Sequence, residues 1–319
     1  MKLKIMKRIF LLVLAVLTML FCSSRFLNEE VSQSPEKLRV TCIIPSRVET
    51  SFWRDIETSM QKASDELDVD ITMMYSGTDG RLAIANSDAV EIAILADTQA
   101  IVTAYRSEDQ KTAELLRRAR NAGIRVVLMD SDNAKDIRDM FVGIDNAAAG
   151  FALGRTALEK IGDDRTVLLL TSGSVHPNMI EREEAIRYAF EASPEVLKII
   201  DAKRQNDLQL VSLLEEQLSE TSDIGAIITT IERNTIICAQ VLKRLEMTDS
   251  IALYGFDRSD DTMPLLETGD IQALICQRHT EMGYESIKAA VNLIRGMPNL
   301  SDTQTIDFEI LYTDWEKGD

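Results

Sequence analysis

The chain has 319 residues, 45% of them hydrophobic and 27% charged, which is enough length and apolar content to bury the core of one large domain or two smaller ones. Its formal net charge is −17, and removing residues 1–24, which carry Lys2, Lys4, Lys7 and Arg8 and no acid, leaves −21. A balance this acidic repels phosphate backbones and argues against a nucleic-acid partner.

In chain order, residues 1–24 read as a signal peptide or membrane anchor. A basic start precedes the apolar run Ile9 to Cys22, which is short for a membrane span and suits a signal-peptide core. Cys22 stands where a lipidated cysteine could, behind the bulky Phe21, while Cys22 and Ser24 also fit the small positions of an ordinary cleavage site. Lipidation, cleavage and retention of the anchor therefore stay open. Residues 25–37 are polar and read as a tether.

From Leu38 onward, strand-like and helix-like segments alternate, the pattern of parallel sheets covered by helices. Strands are expected at Leu38–Ile44, Asp70–Tyr75 and Glu91–Leu95. A helix after the first strand carries Phe52, Ile56, Met60, Ala63 and Leu67 on one face. Residues 76–90 leave little room before the third strand, so that crossover is expected to be a reduced helix. A charged helix, Ser107–Ala122, closes at Gly123 and precedes strands at Ile124–Met129 and Met140–Ile144. A helix at Gly150–Ile161 restarts the alternation. Further strands are expected at Thr166–Leu170, Leu197–Ala202 and Ile224–Thr229, with helices at Glu181–Ala192, Asp207–Glu220 and Asn234–Leu245. There is no internal repeat or low-complexity tract.

The most informative stretch runs from Ile251 to Gly296. A strand, Ile251–Tyr254, ends in Gly255-Phe256-Asp257, where the glycine is expected to make the sharp turn that presents the Asp257 carboxylate at the strand's carboxyl end. A short helix with Pro264 near its start, the turn Thr268-Gly269-Asp270 and a strand, Ile271–Cys276, then deliver Gln277. A long helix follows, with Ile287, Ala290, Val291 and Ile294 at helical spacing, Gly296 at its C-cap and Pro298 beyond.

Enzyme signatures are missing. The two histidines, His176 and His279, have no metal-ligand partner at helical or hairpin spacing, and Cys276 beside His279 is a weak pointer because such pairs form in space. No dinucleotide fingerprint, phosphate loop or nucleophile elbow occurs. Asp130 and Asp132 mimic the start of a calcium loop, which then fails at Ala134, Lys135 and Phe141. Cys42, Cys238 and Cys276 lie in or beside apolar runs without CxxC spacing and read as buried free thiols. No cofactor, metal or catalysis is expected.

The run from Gly255-Phe256-Asp257 through the Thr268–Ile271 turn and Gln277 to MGYESIKAAVNLIRG at 282–296 resembles the last third of the type I periplasmic sugar-binding proteins of the ribose, galactose and xylose kind. Their fold is shared with the lactose-repressor family. The resemblance implies an α/β fold of two similar Rossmann-like lobes, each a parallel sheet flanked by helices, joined by a three-strand hinge. The N-terminal lobe would comprise 38–144 plus 277–304 and the C-terminal lobe 145–276 plus 305–317. Crossings would fall near Ile144–Asn146, Gln277 and Asp302–Gln304, with a final strand, Thr305–Tyr312, returning to the second lobe.

Sugar faces stack on aromatic rings and hydroxyls need fixed donors and acceptors. Thr50-Ser51-Phe52-Trp53 resembles the family's start of the first helix and nominates Phe52 and Trp53, although Phe52 also fits the core face. Asp130-Ser131 matches an Asp-Ser pair at a strand end, with a helix cap as the plainer alternative. Arg182, in Ile180–Ile186, resembles the R-x-x-G-F motif with Ala185 and Ile186 replacing Gly and Phe, and a surface ion pair is its alternative role. Phe256, Asp257 and Gln277 complete the pattern. Glu232 or Asn234 stands in for the usual Asn-Asp pair after the Ile224–Thr229 strand, and Asp97 is a further candidate. The implied function is an exported solute-binding protein that captures a sugar-like molecule between its lobes and presents it to an ABC-type permease, with a membrane sensor kinase as the alternative partner. The protein would be a monomer at the extracytoplasmic face of the cell membrane or in the periplasm, touching membrane only through its N-terminal segment. A repressor would need a basic helix-turn-helix ahead of Leu38, where the export signal and tether stand instead.

Overall fold

The computed structural model describes residues 37–313, apart from 46–50, 78–83, 106–109, 133–134, 163–164, 174–175, 203–205, 222 and 299. The targeting segment 1–24, the tether except Lys37, and Thr50 of the aromatic motif lie outside the described residues. Two six-stranded sheets form the frame. The first has the order β11-β5-β4-β3-β1-β2, with β1 at Leu38–Pro45, β2 at Val69–Ser76, β3 at Ala100–Thr103, β4 at Arg125–Met129, β5 at Met140–Gly143 and β11 at Thr303–Thr305. The second has the order β12-β10-β9-β8-β6-β7, with β6 at Thr166–Thr171, β7 at Leu197–Asp201, β8 at Ile224–Thr229, β9 at Ala252–Phe256, β10 at Ala273–Gln277 and β12 at Phe308–Tyr312. The pairings are parallel except for β12, which runs antiparallel to β10. This is the two-lobed α/β architecture that the resemblance implied, with the helix-covered parallel sheets that the alternation predicted.

Helices on both faces explain why β5, β8 and β10 are buried along their whole length and read as near-continuous apolar runs. Helix α1 (Ser51–Leu67) buries Phe52, Ile56, Met60 and Ala63 against helix α9 (His279–Ile294), as its spacing requires. The two helices meet at Gly283, where a Cβ would stand 2.1 Å from the Ser59 hydroxyl and 2.7 Å from the Ile56 carbonyl. Helix α9 ends as expected, with Gly296 at φ 66° and the Met297 amide donating to the Asn292 carbonyl. Cys42, Cys238 and Cys276 are free and buried, and burial pushes the Cys42 and Cys276 thiols up to about 12.

Four expectations are corrected. Glu91–Leu95 is not a strand: it completes helix α2 (Asn86–Leu95), which buries Ala89, Val90 and Ala93 while Ile92 and Leu95 face outward, and the third strand is Ala100–Thr103. The apolar run suits either state, and only the outward pair betrays the helix. Helix α4 (Asn146–Ile161) starts before Gly150 because the Asp145 carboxylate caps it, accepting from the Ala148 amide at 2.8 Å. Helix α5 (Pro177–Ala189) likewise starts before Glu181, with Pro177 in its first turn. The strand expected at Thr305–Tyr312 begins only at Phe308: Thr303–Thr305 is a separate strand paired with β5 in the first sheet, and the chain passes to the second sheet at Ile306–Asp307.

Candidate functional site

Residues at the carboxyl ends of β4, β9 and β10 and in the first turns of α1, α5 and α7 (Glu232–Arg244) line one cleft of about 750 Å³. Ligands of open α/β sheets bind at this end because the strands deliver side chains there and helix N-termini point inward. Phe52, Trp53, Asp130, Arg182, Glu232, Asp257 and Gln277 all line it.

The two aspartates share a backbone feature. Asp130 has φ 67° and Asp257 φ 74°, the left-handed region that aspartate tolerates better than most residues. Gly255 therefore does not make the turn after β9. It lies within the strand, where a Cβ would stand 2.4 Å from the Thr235 side chain, and Asp257 makes the turn itself. The Asp257 amide donates to the Ile275 carbonyl at 2.8 Å and its carbonyl accepts from the Thr262 hydroxyl at 2.9 Å, so the strained residue is fixed at both ends.

Arg182 is buried, at 1% exposure. Its Nε donates to Asn146 Oδ1 at 2.8 Å and its Nη1 to the Thr230 carbonyl at 3.1 Å, while the guanidinium lies 4.3 Å from the centre of the Phe256 ring. Gly150 permits this seat, since a Cβ there would stand 2.4 Å from the Arg182 carbonyl. Nη2 has no partner among the described residues. Gln277 Nε2 donates to Asp257 Oδ1 at 2.7 Å, which fixes the amide and leaves Oε1 as an acceptor, also without a partner among the described residues. The site thus holds a buried donor and a buried acceptor, each of which gains by meeting a polar ligand.

Asn178, from the first turn of α5, donates through Nδ2 to Asp130 Oδ2 at 3.1 Å. Burial pushes the Asp130 carboxyl up to about 6; Asp257 adds to the shift, and Arg182 and the Asn178 hydrogen bond oppose it. The Glu232 carboxyl is also raised, first by burial and then by Asp257, Asp261 and Asp260, against a hydrogen bond with Ser259. On the aromatic side, Phe52 packs edge-on to Trp53 at 5.0 Å and tilted on His279 at 5.2 Å. The His279 nitrogens face the Asp55 carboxylate and the Gln277 carbonyl, both at 3.1 Å. At the rim, Arg54 of α1 pairs with Asp260 at 3.1 Å, joining residues from the two sheets' sides.

Three candidates stand elsewhere. Asp97 precedes β3 and pairs with Arg39 at the opposite end of the first sheet, because the segment before it, Glu91–Leu95, is helix and not a strand that would deliver it to the cleft. Ser131 is buried behind Asp130 and does not line the cleft, and Phe256 lies beneath Arg182 as a support. Asn178 and Asn146 were missed because the helices carrying them were expected to begin several residues later. Pro177 was the available signal for Asn178, and Asp145 for Asn146.

Residues 41–298 match the family model described as Periplasmic binding protein domain. Over 274 residues the chain is 21% identical to the ribose import binding protein RbsB of Haemophilus influenzae, covering 86% of this chain and 92% of that protein. It superposes on GanP, a glucose-galactose binding protein from Geobacillus stearothermophilus, with a TM-score of 0.77 at 22% identity, covering 87% of this chain and 98% of that one. A chain of the XylFII–LytSN complex matches with a TM-score of 0.74 at 24% identity, covering 88% and 99%.

Proposed function

The chain belongs to the periplasmic binding protein domain family, and on that premise we propose that it captures a sugar-like small molecule in the cleft and closes two lobes on it. The observation that carries this reading is the set of groups converging there. Asp130 and Asp257 stand at strand ends, Arg182 Nη2 and Gln277 Oε1 have no hydrogen-bond partner among the described residues, and Phe52 and Trp53 supply ring surface. Acceptors and donors beside aromatic rings suit a polyhydroxylated ring, and contacts from both sheets would make closure a ligand-biased hinge motion. RbsB and GanP, matched along most of their length, are named as binders of ribose and of glucose and galactose.

The N-terminal segment 1–24 exports the chain and cleavage, lipidation or retention sets how it is held; no described helix is long and apolar enough to cross a membrane. In this reading the protein works as a monomer outside the cytoplasm and presents its closed form to an ABC-type permease. The likeness to a chain of the XylFII–LytSN complex supports a second reading, in which the closed form engages a membrane sensor kinase. A thermal-shift panel of pentoses, hexoses and polyols on the full chain tests the first step. A ligand at about a hundred times its Kd adds roughly 2.7 kcal/mol to folded stability, and Asp257→Ala should abolish the shift. A shift that survives Asp257→Ala would place the ligand elsewhere.

A further inference from the structure

We propose that the ligand of this cleft carries a positively charged amine, as an amino sugar or amino polyol, with the ammonium held by Glu232, Asp257 and the side-chain carbonyl of Gln277. The inference rests on the reading of the cleft as a sugar-like site and narrows its ligand class. The first observation is a charge imbalance among the lining residues. Arg54 pairs with Asp260 and Arg233 with Asp207, which leaves Asp130, Glu232, Asp257 and Asp261 facing Arg182 as the one remaining cation among the described lining residues. Arg182 is already committed to Asn146, the Thr230 carbonyl and the Phe256 ring. Carboxylates crowded into a partly buried space repel one another; the Glu232 carboxyl is raised first by burial, and Asp257, Asp261 and Asp260 add to the shift.

The second observation is independent of charge. Gln277 is 6% exposed and lines the cleft, and its Oε1 is a buried acceptor without a partner among the described residues. Its Nε2 is spent on Asp257 Oδ1, so the free end can only accept. A hydroxyl would satisfy it with one donor. An ammonium brings three donors, enough for Gln277 Oε1 and the carboxylates of Asp257 and Glu232 together, and it cancels part of the excess negative charge. Among the described residues no group of three or more His, Cys, Asp and Glu is placed to hold a metal ion. Trp53, on the same cleft, offers a ring face that attracts ammonium as well as sugar C–H surface. Arg182 Nη2 remains for a hydroxyl on the far side of the ligand.

The test is isothermal titration of the full chain at pH 7.5 with neutral pentoses, hexoses and polyols, each beside its amino-deoxy counterpart and that counterpart's N-acetyl form. At least one amine is expected to bind about tenfold or more tightly than both its parent and its uncharged N-acetyl form, since a charge-assisted contact replaces a neutral one. Glu232→Gln should reduce that preference, read as the ratio of amine to parent affinity, by about tenfold. A parent that binds as tightly as its amine in the unaltered chain overturns the inference and leaves sugar binding standing. No binding by any member overturns the reading on which the inference rests. The comparison in the unaltered chain decides the matter even if Glu232→Gln folds poorly.

Discussion

Asp130→Asn should make the ligand-free protein more stable and its site worse. In the folded chain the Asp130 carboxyl is pushed from 3.8 to about 6, mainly by burial, with Asp257 adding to the shift and Arg182 and Asn178 opposing it. A gap of roughly two units at about 1.36 kcal/mol each makes the ionised carboxylate cost about 3 kcal/mol at neutral pH. The sign follows from proton binding. The folded state holds the Asp130 proton more tightly than the unfolded chain, so stability falls as pH rises from 3.8 through about 6, and the cost is fully present above that range. Asparagine keeps an acceptor for Asn178 and tolerates the left-handed φ of 67°, so it removes the charge with little other change. Urea denaturation at pH 7.5 should therefore show Asp130→Asn more stable by about 3 kcal/mol, shrinking to about 1 kcal/mol at pH 4.5. The same variant should bind its ligand about ten- to a hundredfold more weakly, because a neutral amide replaces a charged acceptor. A variant less stable than the parent at pH 7.5, or an advantage that does not change with pH, would refute the reasoning.

Gly283→Ala should cost about 1–3 kcal/mol, read as a lower urea midpoint, because its Cβ would collide with the Ile56 carbonyl in the α1–α9 contact. Arg138→Met should cost about 3–5 kcal/mol although Arg138 lies outside the cleft: at 1% exposure it holds both Asp132 oxygens, at 2.6 and 2.8 Å, and the Asp302 carbonyl at 2.6 Å. Arg182→Lys should weaken ligand binding by about ten- to a hundredfold in calorimetry, since a point charge cannot serve Asn146, Thr230 and a ligand at once. Arg54→Ala should change affinity by no more than about fivefold, and that change should fade at high salt, because the Arg54–Asp260 pair is exposed.

The parts of this molecule that were legible in the sequence are those written by position along a strand or helix. Asp130, Asp257 and Gln277 follow apolar strands directly, and strand ends are where an open sheet puts its site. What escaped depended on where elements begin or on who their neighbours are. Asn178 reaches Asp130 only because α5 starts at Pro177, and Asn146 receives Arg182 only because Asp145 starts α4 early. Gly255 looked like a turn residue, yet its role is to admit Thr235, a contact made across twenty residues of chain. The run Glu91–Leu95 satisfied strand and helix alike, and misassigning it carried Asp97 to the wrong end of the sheet.

The most direct test of the account uses Trp53 as a reporter inside the cleft. The chain has two tryptophans, Trp53 and Trp315, so Trp315→Phe leaves Trp53 alone. Its fluorescence should change saturably on titration with the ligand found in the thermal panel, and with the same affinity that calorimetry gives. Adding Asp257→Ala to this single-tryptophan chain should remove the change. Calorimetric binding with a silent Trp53 would place the ligand outside this cleft and contradict the account.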